Sequence, residues 1–168
     1  MSPEDLPQVL ALQHLCYQPE FHEPLDAFES KLQAAPDTCW VISNEPASVL
    51  AYLVSLPVAG ENYPLLHARQ WEAAAQADEL YLHDMAISPA LRGRGGSHKL
   101  LQRAIAQAQG LRLPRLSLIA VQNSASFWMR QGFSPRQPTS SQVAHKLASF
   151  GSDAMLMSHT LAHNPGQS

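Results

Sequence analysis

Apolar and polar residues recur along this chain with two periods, and the switches between them mark its elements. Ser2-Pro3-Glu4-Asp5 supplies an N-cap, a proline at the first helical position and acids in the first turn. Leu6, Val9, Leu10 and Leu15 then recur at roughly helical spacing, predicting a helix to about Cys16. A second short helix is expected over 25–34, with Leu25, Phe28 and Leu32 on one face and Pro36 closing it. Trp40 to Ser43 reads as a strand, Asn44-Glu45-Pro46 as a turn, and Val49 to Leu56 as the hairpin partner. Residues 57–78 carry prolines 57 and 64 and Gly60 without a clear apolar stripe, so a long surface excursion is expected there. Glu79 to Ser88 is a strand ended by Pro89. Leu100, Leu101, Ala104, Ile105 and Ala108 form a helical stripe that stops at Gly110. Arg115 to Val121 is another strand. Ser124 to Gln131 is a short helix with Gly132 as its left-handed stop, Phe133 opens a short strand, and 154–161 is the last strand. Residues 137–152 are polar and give no clear element, and Asn164 to Ser168 read as a frayed tail.

The order α, α, β, β, loop, β, α, β, α, β, β describes one mixed α/β sheet with a βαβ crossover at 80–121, within a single domain over 1–168. With 45 % apolar residues the chain can bury a core. No apolar run is long enough for a transmembrane helix, and the acidic, polar start MSPEDLPQVL is not a signal peptide. Cys16 and Cys39 lack metal-type spacing and read as buried thiols of a reducing cytosol, so a cytoplasmic protein is expected.

Charge changes this picture. Residues 1–84 hold 13 of the 14 carboxylates but only Lys31 and Arg69, whereas residues 85–168 hold nine Lys or Arg and Asp153 alone. Such asymmetry points to an anionic ligand at the second half. The stretch "LRGRGGSHKLL", residues 91–101, is the place for it. It is not a Walker loop, and Gly93-x-Gly95 begins a dinucleotide fingerprint that His98 breaks. An Arg-Gly-Gly nucleic-acid tail would lie in low-complexity sequence, whereas this run lies between a strand and a helix, so no nucleic-acid partner is expected. What remains is a strand–glycine turn–helix whose backbone N–H groups face outward at a helix N-terminus, with Arg92 and Arg94 adding positive potential. That arrangement suits a pyrophosphate. A helix start that merely has flexible glycines is the alternative.

At these residues the chain resembles the GNAT superfamily of acyl-CoA-dependent N-acetyltransferases, whose signature is Arg/Gln-x-x-Gly-x-Gly/Ala. Arg92 matches the first position and Gly95 the fourth, while Ser97 stands where the family has Gly or Ala. "LYLHDMAISP" resembles the family's fourth strand, and "LIAVQNSASFWMRQGF" its fifth strand and following helix, closing on Gly132-Phe133. The strand that usually precedes helix one is missing or trimmed. The resemblance implies a GNAT-like fold with splayed central strands and acetyl-CoA in the gap. Pantetheine would pair with the strand edge at Met85, Ala86 and Ile87. The pyrophosphate would sit on Gly93, Arg94, Gly95, Gly96, Ser97 and His98, beside Arg92. Asn123 matches a position that often bonds pantetheine; a plain strand-end turn residue is its alternative. Phe127 and Trp128 pack either the core or the cofactor. Homodimers are common in such a family.

The implied reaction is attack of a primary amine, on a small molecule or a peptide, on the thioester in a ternary complex. An amine with pKa near 10.4 costs about 4.6 kcal/mol to neutralise at pH 7, so a base helps. His83 is the first candidate, with Asp84 and Tyr81 behind it; strand alternation places Tyr81, His83, Met85 and Ile87 on one side and Asp84 on the other. A strand-four N–H near Met85 is the implied oxyanion donor. The family's tyrosine acid, four residues before the closing glycine, is replaced by Trp128, whose indole cannot act as an acid. That loss keeps two rivals open: a CoA-binding regulatory module without turnover, and an acyltransferase for another acyl-CoA or a non-amine acceptor. The histidines form no metal-spaced pair, so no metal is expected. Glu20, Glu23, Asp26 and Glu29 around helix two point to a cationic acceptor.

Overall fold

A computed structural model describes residues 1–44 and 48–162. The helices are α1 (Leu6–Cys16), α2 (Leu25–Ala34), α3 (Gly96–Gly110), α4 (Ala125–Arg130) and α5 (Ser141–Ala148). The strands are β1 (Cys39–Ser43), β2 (Val49–Val58), β3 (Glu79–Ile87), β4 (Arg115–Ala120), β5 (Ser134–Pro135) and β6 (Met155–Thr160). They form one six-stranded mixed sheet in the order β1-β2-β3-β4-β6-β5. The expected hairpin of β1 with β2 is present, its strands running antiparallel from Cys39–Val54 to Ser43–Val49. The expected turn at 44–46 and the tail at 164–168 fall partly or wholly outside the described residues. No helix among the described residues is long and apolar enough to cross a membrane.

The sheet carries a core on each face. Leu6, Val9 and Leu12 of α1, Phe28 and Leu32 of α2 and Val143 of α5 pack on Tyr52, Val54, Leu56 and Tyr81. Leu100, Leu101, Ala104 and Ala108 of α3 and Trp128 of α4 pack on Leu53, Leu80, Leu82, Leu116 and Leu118. Two expected face residues are instead exposed, Leu15 at 62 % and Leu25 at 44 %. On α2 the residue buried in their place is Lys31, fully sequestered. Its three ammonium protons explain how: Nζ donates to Glu23 Oε1 (3.2 Å), Ala27 O (3.3 Å) and Ala68 O (3.2 Å).

Of the excursion expected over 57–78, Pro57 and Val58 still belong to β2, and residues 59–78 form no helix or strand and are pinned at both ends. Buried Glu79 accepts from Tyr63 Oη (2.7 Å) and Arg136 Nη1 (2.9 Å), while Arg136 also pairs with Glu61. The same cage fixes the approach to α5, since Glu61 accepts from Thr139 N (3.1 Å) and Oγ1 (2.6 Å). Helix α5 is an element that the apolar pattern does not disclose. Ser140 caps it by accepting from Val143 N, and its apolar face is little more than Val143 and Leu147.

Two irregularities position the site. Strands β3 and β4 are parallel and joined through α3, yet they pair only over Leu80–Leu116, Tyr81–Ser117 and Leu82–Leu118. Beyond Leu82 they part, leaving one edge of residues 83–87 without a strand neighbour. On its other edge β3 pairs with β2 through a bulge: Val54 faces Asp84 but Ser55 faces Leu82, so His83 is the extra residue. The bulge shifts the alternation by one. Tyr81 and Ala86 share the α1–α2 face, and Leu82, Met85 and Ile87 the α3 face. The simple alternation of Tyr81, His83, Met85 and Ile87 on one side therefore fails after His83: the Tyr81 and His83 rings are neighbours (5.8 Å), whereas Met85 and Ile87 lie on the other face.

Candidate active site

The parted strands open a cleft of about 670 Å³ that reaches from the glycine turn to the end of α1. Its donor side is built by backbone. Gly93 (φ 71°) and Gly95 (φ 79°) lie in the left-handed region, where a side chain is strained, and Gly95 is the N-cap of α3. Lys99 N bonds Gly95 O (3.0 Å), which leaves the N–H groups of Gly96, Ser97 and His98 as the unpaired donors of the first turn. No acid occupies that turn, and Arg92 stands at its approach. Such a turn can hold a diphosphate.

The free edge of β3 continues the path inward. Ser88 N donates to Leu50 O (2.8 Å), which makes 88 and 50 a hydrogen-bonded pair. Antiparallel alternation then turns the main chains of Ile87 and Met85 away from β2 and into the cleft. Two contacts agree with this direction: Tyr17 Oη donates to Met85 O (2.8 Å) and Cys16 Sγ to Ile87 O (3.4 Å). Burial, then the nearby Asp84 charge, raises the Tyr17 phenol well above its usual range and keeps it a donor.

At the far end lies a buried polar chain. His83 Nε2 is 2.9 Å from Glu23 Oε2, with the two side chains 3 % and 2 % exposed. Glu23 is placed by its backbone, which exchanges hydrogen bonds with the buried amide of Gln13: Glu23 N to Oε1 (2.8 Å) and Gln13 Nε2 to Glu23 O (3.0 Å). Its carboxylate also faces Lys31 Nζ (3.1 Å) and accepts from His67 N (3.1 Å). Burial alone would raise the Glu23 carboxyl, but His83 and Lys31 outweigh it and hold the group down at about 2. Asp84 lies beside this chain. Tyr52 Oη donates to its Oδ2 (2.7 Å), and burial pushes its carboxyl up. Two atoms are left over: His83 Nδ1 and Asp84 Oδ1 are buried without a hydrogen-bond partner, and both residues line the cleft.

Comparison with known proteins matches this arrangement to a family. The profile of the acetyltransferase (GNAT) family fits residues 6–133. The chain belongs to the GNAT acetyltransferase family. No curated protein matches it in sequence. Solved structures similar in fold include a GNAT-like decarboxylase, GphF, in complex with isobutyryl-CoA, with TM-score 0.76, 15 % identity and 96 % and 97 % of the two chains covered. Rv2747 from Mycobacterium tuberculosis, in complex with CoA and NLQ, gives 0.67, 16 %, 96 % and 96 %. The ribosomal-protein-S18-alanine N-acetyltransferase from Escherichia coli gives 0.62, 15 %, 99 % and 94 %.

Within this GNAT fold, most of the sequence-derived residues meet in the cleft. His83, Asp84, Met85, Ala86 and Ile87 line it from β3, and Arg92, Gly93, Gly95, Gly96 and Ser97 from the turn. Phe127 and Trp128 line it from α4. Trp128 is also a core residue, edge-on to Phe127 (5.0 Å) and Phe133 (5.3 Å), which favours packing as its role. Four expected residues lie elsewhere. Tyr81 is buried against Tyr63 (4.5 Å between rings), with its ring 5.8 Å from that of His83, and does not line the cleft. The side chains of Arg94 and His98 are absent from the lining, the first on the open turn and the second at the third residue of α3. Asn123 (φ 57°) lines a neighbouring cavity, its N–H on Asp153 Oδ2 (3.1 Å). Conversely, Glu23 reads in the sequence only as one of several acids, and Tyr17, Tyr52 and Lys31 carry no signal there. No metal-type cluster of His, Cys, Asp or Glu occurs among the described residues.

Proposed function

We propose that this protein transfers the acetyl group of acetyl-CoA to a primary amine, with His83 as the base. One observation carries the reading: His83 bulges from β3 into the cleft with Nε2 on a buried carboxylate and Nδ1 unpartnered. His83 and Lys31 together keep Glu23 ionised. The carboxylate accepts the Nε2–H, and that fixes the tautomer whose lone pair is at Nδ1.

The residues then have ordered roles. Diphosphate rests on the N–H groups of Gly96, Ser97 and His98, and Arg92 adds charge. Pantetheine pairs with the free edge of β3. The acceptor arrives as an ammonium, donates one N–H to Asp84 Oδ1 and gives a proton to His83 Nδ1. The neutral nitrogen attacks the thioester carbon; the C–N bond forms as the carbonyl electrons move onto oxygen, which accepts from the Met85 N–H. Collapse breaks the C–S bond as the nitrogen passes its second proton to the departing sulfur, giving the amide and the CoA thiol; the Cys-like pKa near 8.5 of that thiol makes the absent tyrosine acid a modest loss. An acyl group that carries its own carboxylate, as a decarboxylase requires, is disfavoured by Glu23 and Asp84 at this end of the cleft.

Thiol release over panels of acyl-CoAs and amines tests the proposal. Turnover with acetyl-CoA and an amine, lost in His83→Ala while CoA still raises the melting temperature, is the expected result. A CoA shift without thiol release from any pair would favour the regulatory module.

A further inference from the structure

The acceptor side of the cleft opens on a second cavity of about 420 Å³. Four residues line both spaces: Phe21, Leu66, Gln122 and Phe150. They form a mostly apolar collar between the buried polar chain and the outside. Beyond the collar the charged residues of the outer cavity are Glu20 and Asp153, and its lining includes no Lys, Arg or His. Asp153 holds the Asn123 N–H through Oδ2 (3.1 Å) at an exposed position. Inside the collar, Asp84 has Tyr52 on one oxygen and no partner on the other, and the 3 %-exposed His83 ring has an unpartnered Nδ1. The inner carboxylate that is matched by a cation is Glu23, not Asp84.

Carboxyl groups that no cation matches therefore recur at two depths, Asp84 within and Glu20 and Asp153 without, with an apolar stretch between. We infer that the acceptor is a dication of the α,ω-diamine type, a reading that rests on the transfer reaction proposed above. One nitrogen lies at Asp84 and His83, the carbon chain crosses Phe21, Leu66 and Phe150, and the second ammonium meets Glu20 and Asp153. A single ammonium uses the inner half alone. The exposed outer pair contributes through Coulomb attraction that salt screens, so the preference falls as ionic strength rises.

The test is thiol release from acetyl-CoA with a series of α,ω-diamines of increasing length and the n-alkyl monoamine matched to each. The expected result is a kcat/KM for the best diamine about tenfold or more above its monoamine. That advantage should be carried by KM, weaken with salt, and collapse to the monoamine level in the Glu20→Gln, Asp153→Asn double variant. Both substitutions are exposed, and an unchanged melting temperature checks the fold. Equal use of diamines and monoamines, or an advantage that survives the double variant, overturns this inference and leaves the transfer reaction standing. Absence of thiol release with every amine overturns both.

Discussion

The two sides of the cleft are built in opposite ways. The donor side comes from one contiguous run, residues 85–98, and its recognition groups are main-chain amides that glycine leaves uncovered. The acceptor side draws on the end of α1, the approach to α2, Leu66 and the bulged β3, and its groups are side chains paired across the chain. His83 and Glu23 are 60 residues apart. Charge follows the same division, with Arg92 on the first side and Glu20, Glu23 and Asp84 on the second. A backbone cradle serves a ligand part common to many substrates, whereas side chains supplied by distant segments can be changed to suit one acceptor.

Substitutions break this division in a graded way. The largest effect is expected from Gly95→Glu, which puts a charged side chain at φ 79° against the free amides of α3. CoA should then give no thermal shift, and a retained shift would remove the diphosphate cradle from the account. Next is His83→Ala on the other side. It should lower kcat/KM by about 10²–10⁴, the range of a lost general base, while CoA affinity stays within a few-fold. Unchanged turnover would mean that His83 is not the base.

Glu23→Gln sharpens the comparison because in the proposed reaction Glu23 acts only through the His83 ring it holds. A neutral amide stabilises the imidazolium less than a carboxylate does, so the acid limb of the kcat/KM profile should move to lower pH with a smaller loss of rate than in His83→Ala. A merely structural residue would lower the yield of folded enzyme and leave the limb in place. The same group sets a stability window. The Glu23 carboxyl is depressed from 4.5 to about 2, so its contribution is complete above about 4.5 and is lost as pH falls toward about 2. At about 1.4 kcal/mol per unit, that is on the order of 3 kcal/mol. Urea melts should show that loss in the parent and a flatter profile in Glu23→Gln. The smallest effect belongs to Tyr17→Phe, which removes the hydroxyl that donates to Met85 O. A loss of about 0.5–1.5 kcal/mol in stability is expected, read from the same melts.

The division also governs what could be read from the residues in order. The glycine turn between β3 and α3 was legible because its physics is local: a strand, glycines with no Cβ, arginines, then a helical stripe. The β3–α3–β4 crossover followed for the same reason. Lys31 reads as a solvated residue on a polar face, since the Glu23, Ala27 and Ala68 oxygens that bury it are gathered only by the fold. Tyr81 does lie beside His83, as alternation predicts (5.8 Å between rings), but Met85 and Ile87 were placed on the same side by assuming a regular strand; one extra residue at 83 undoes that, and nothing in "YLHDM" marks the bulge. Helix α5 has too few apolar positions to give a period. Of the buried polar chain, His83 was within reach as a histidine beside the implied thioester, whereas its partner Glu23 was one acid among several.

The meeting of the two sides at His83 is tested most directly by a crystal structure with acetyl-CoA bound. The account predicts the diphosphate on the N–H groups of Gly96, Ser97 and His98, the thioester oxygen facing the Met85 N–H, and His83 Nδ1 able to reach an amine placed about 3–3.5 Å from the acyl carbon. A diphosphate away from that turn, or an acyl carbon lying on the side of Trp128 with His83 out of reach, would contradict it.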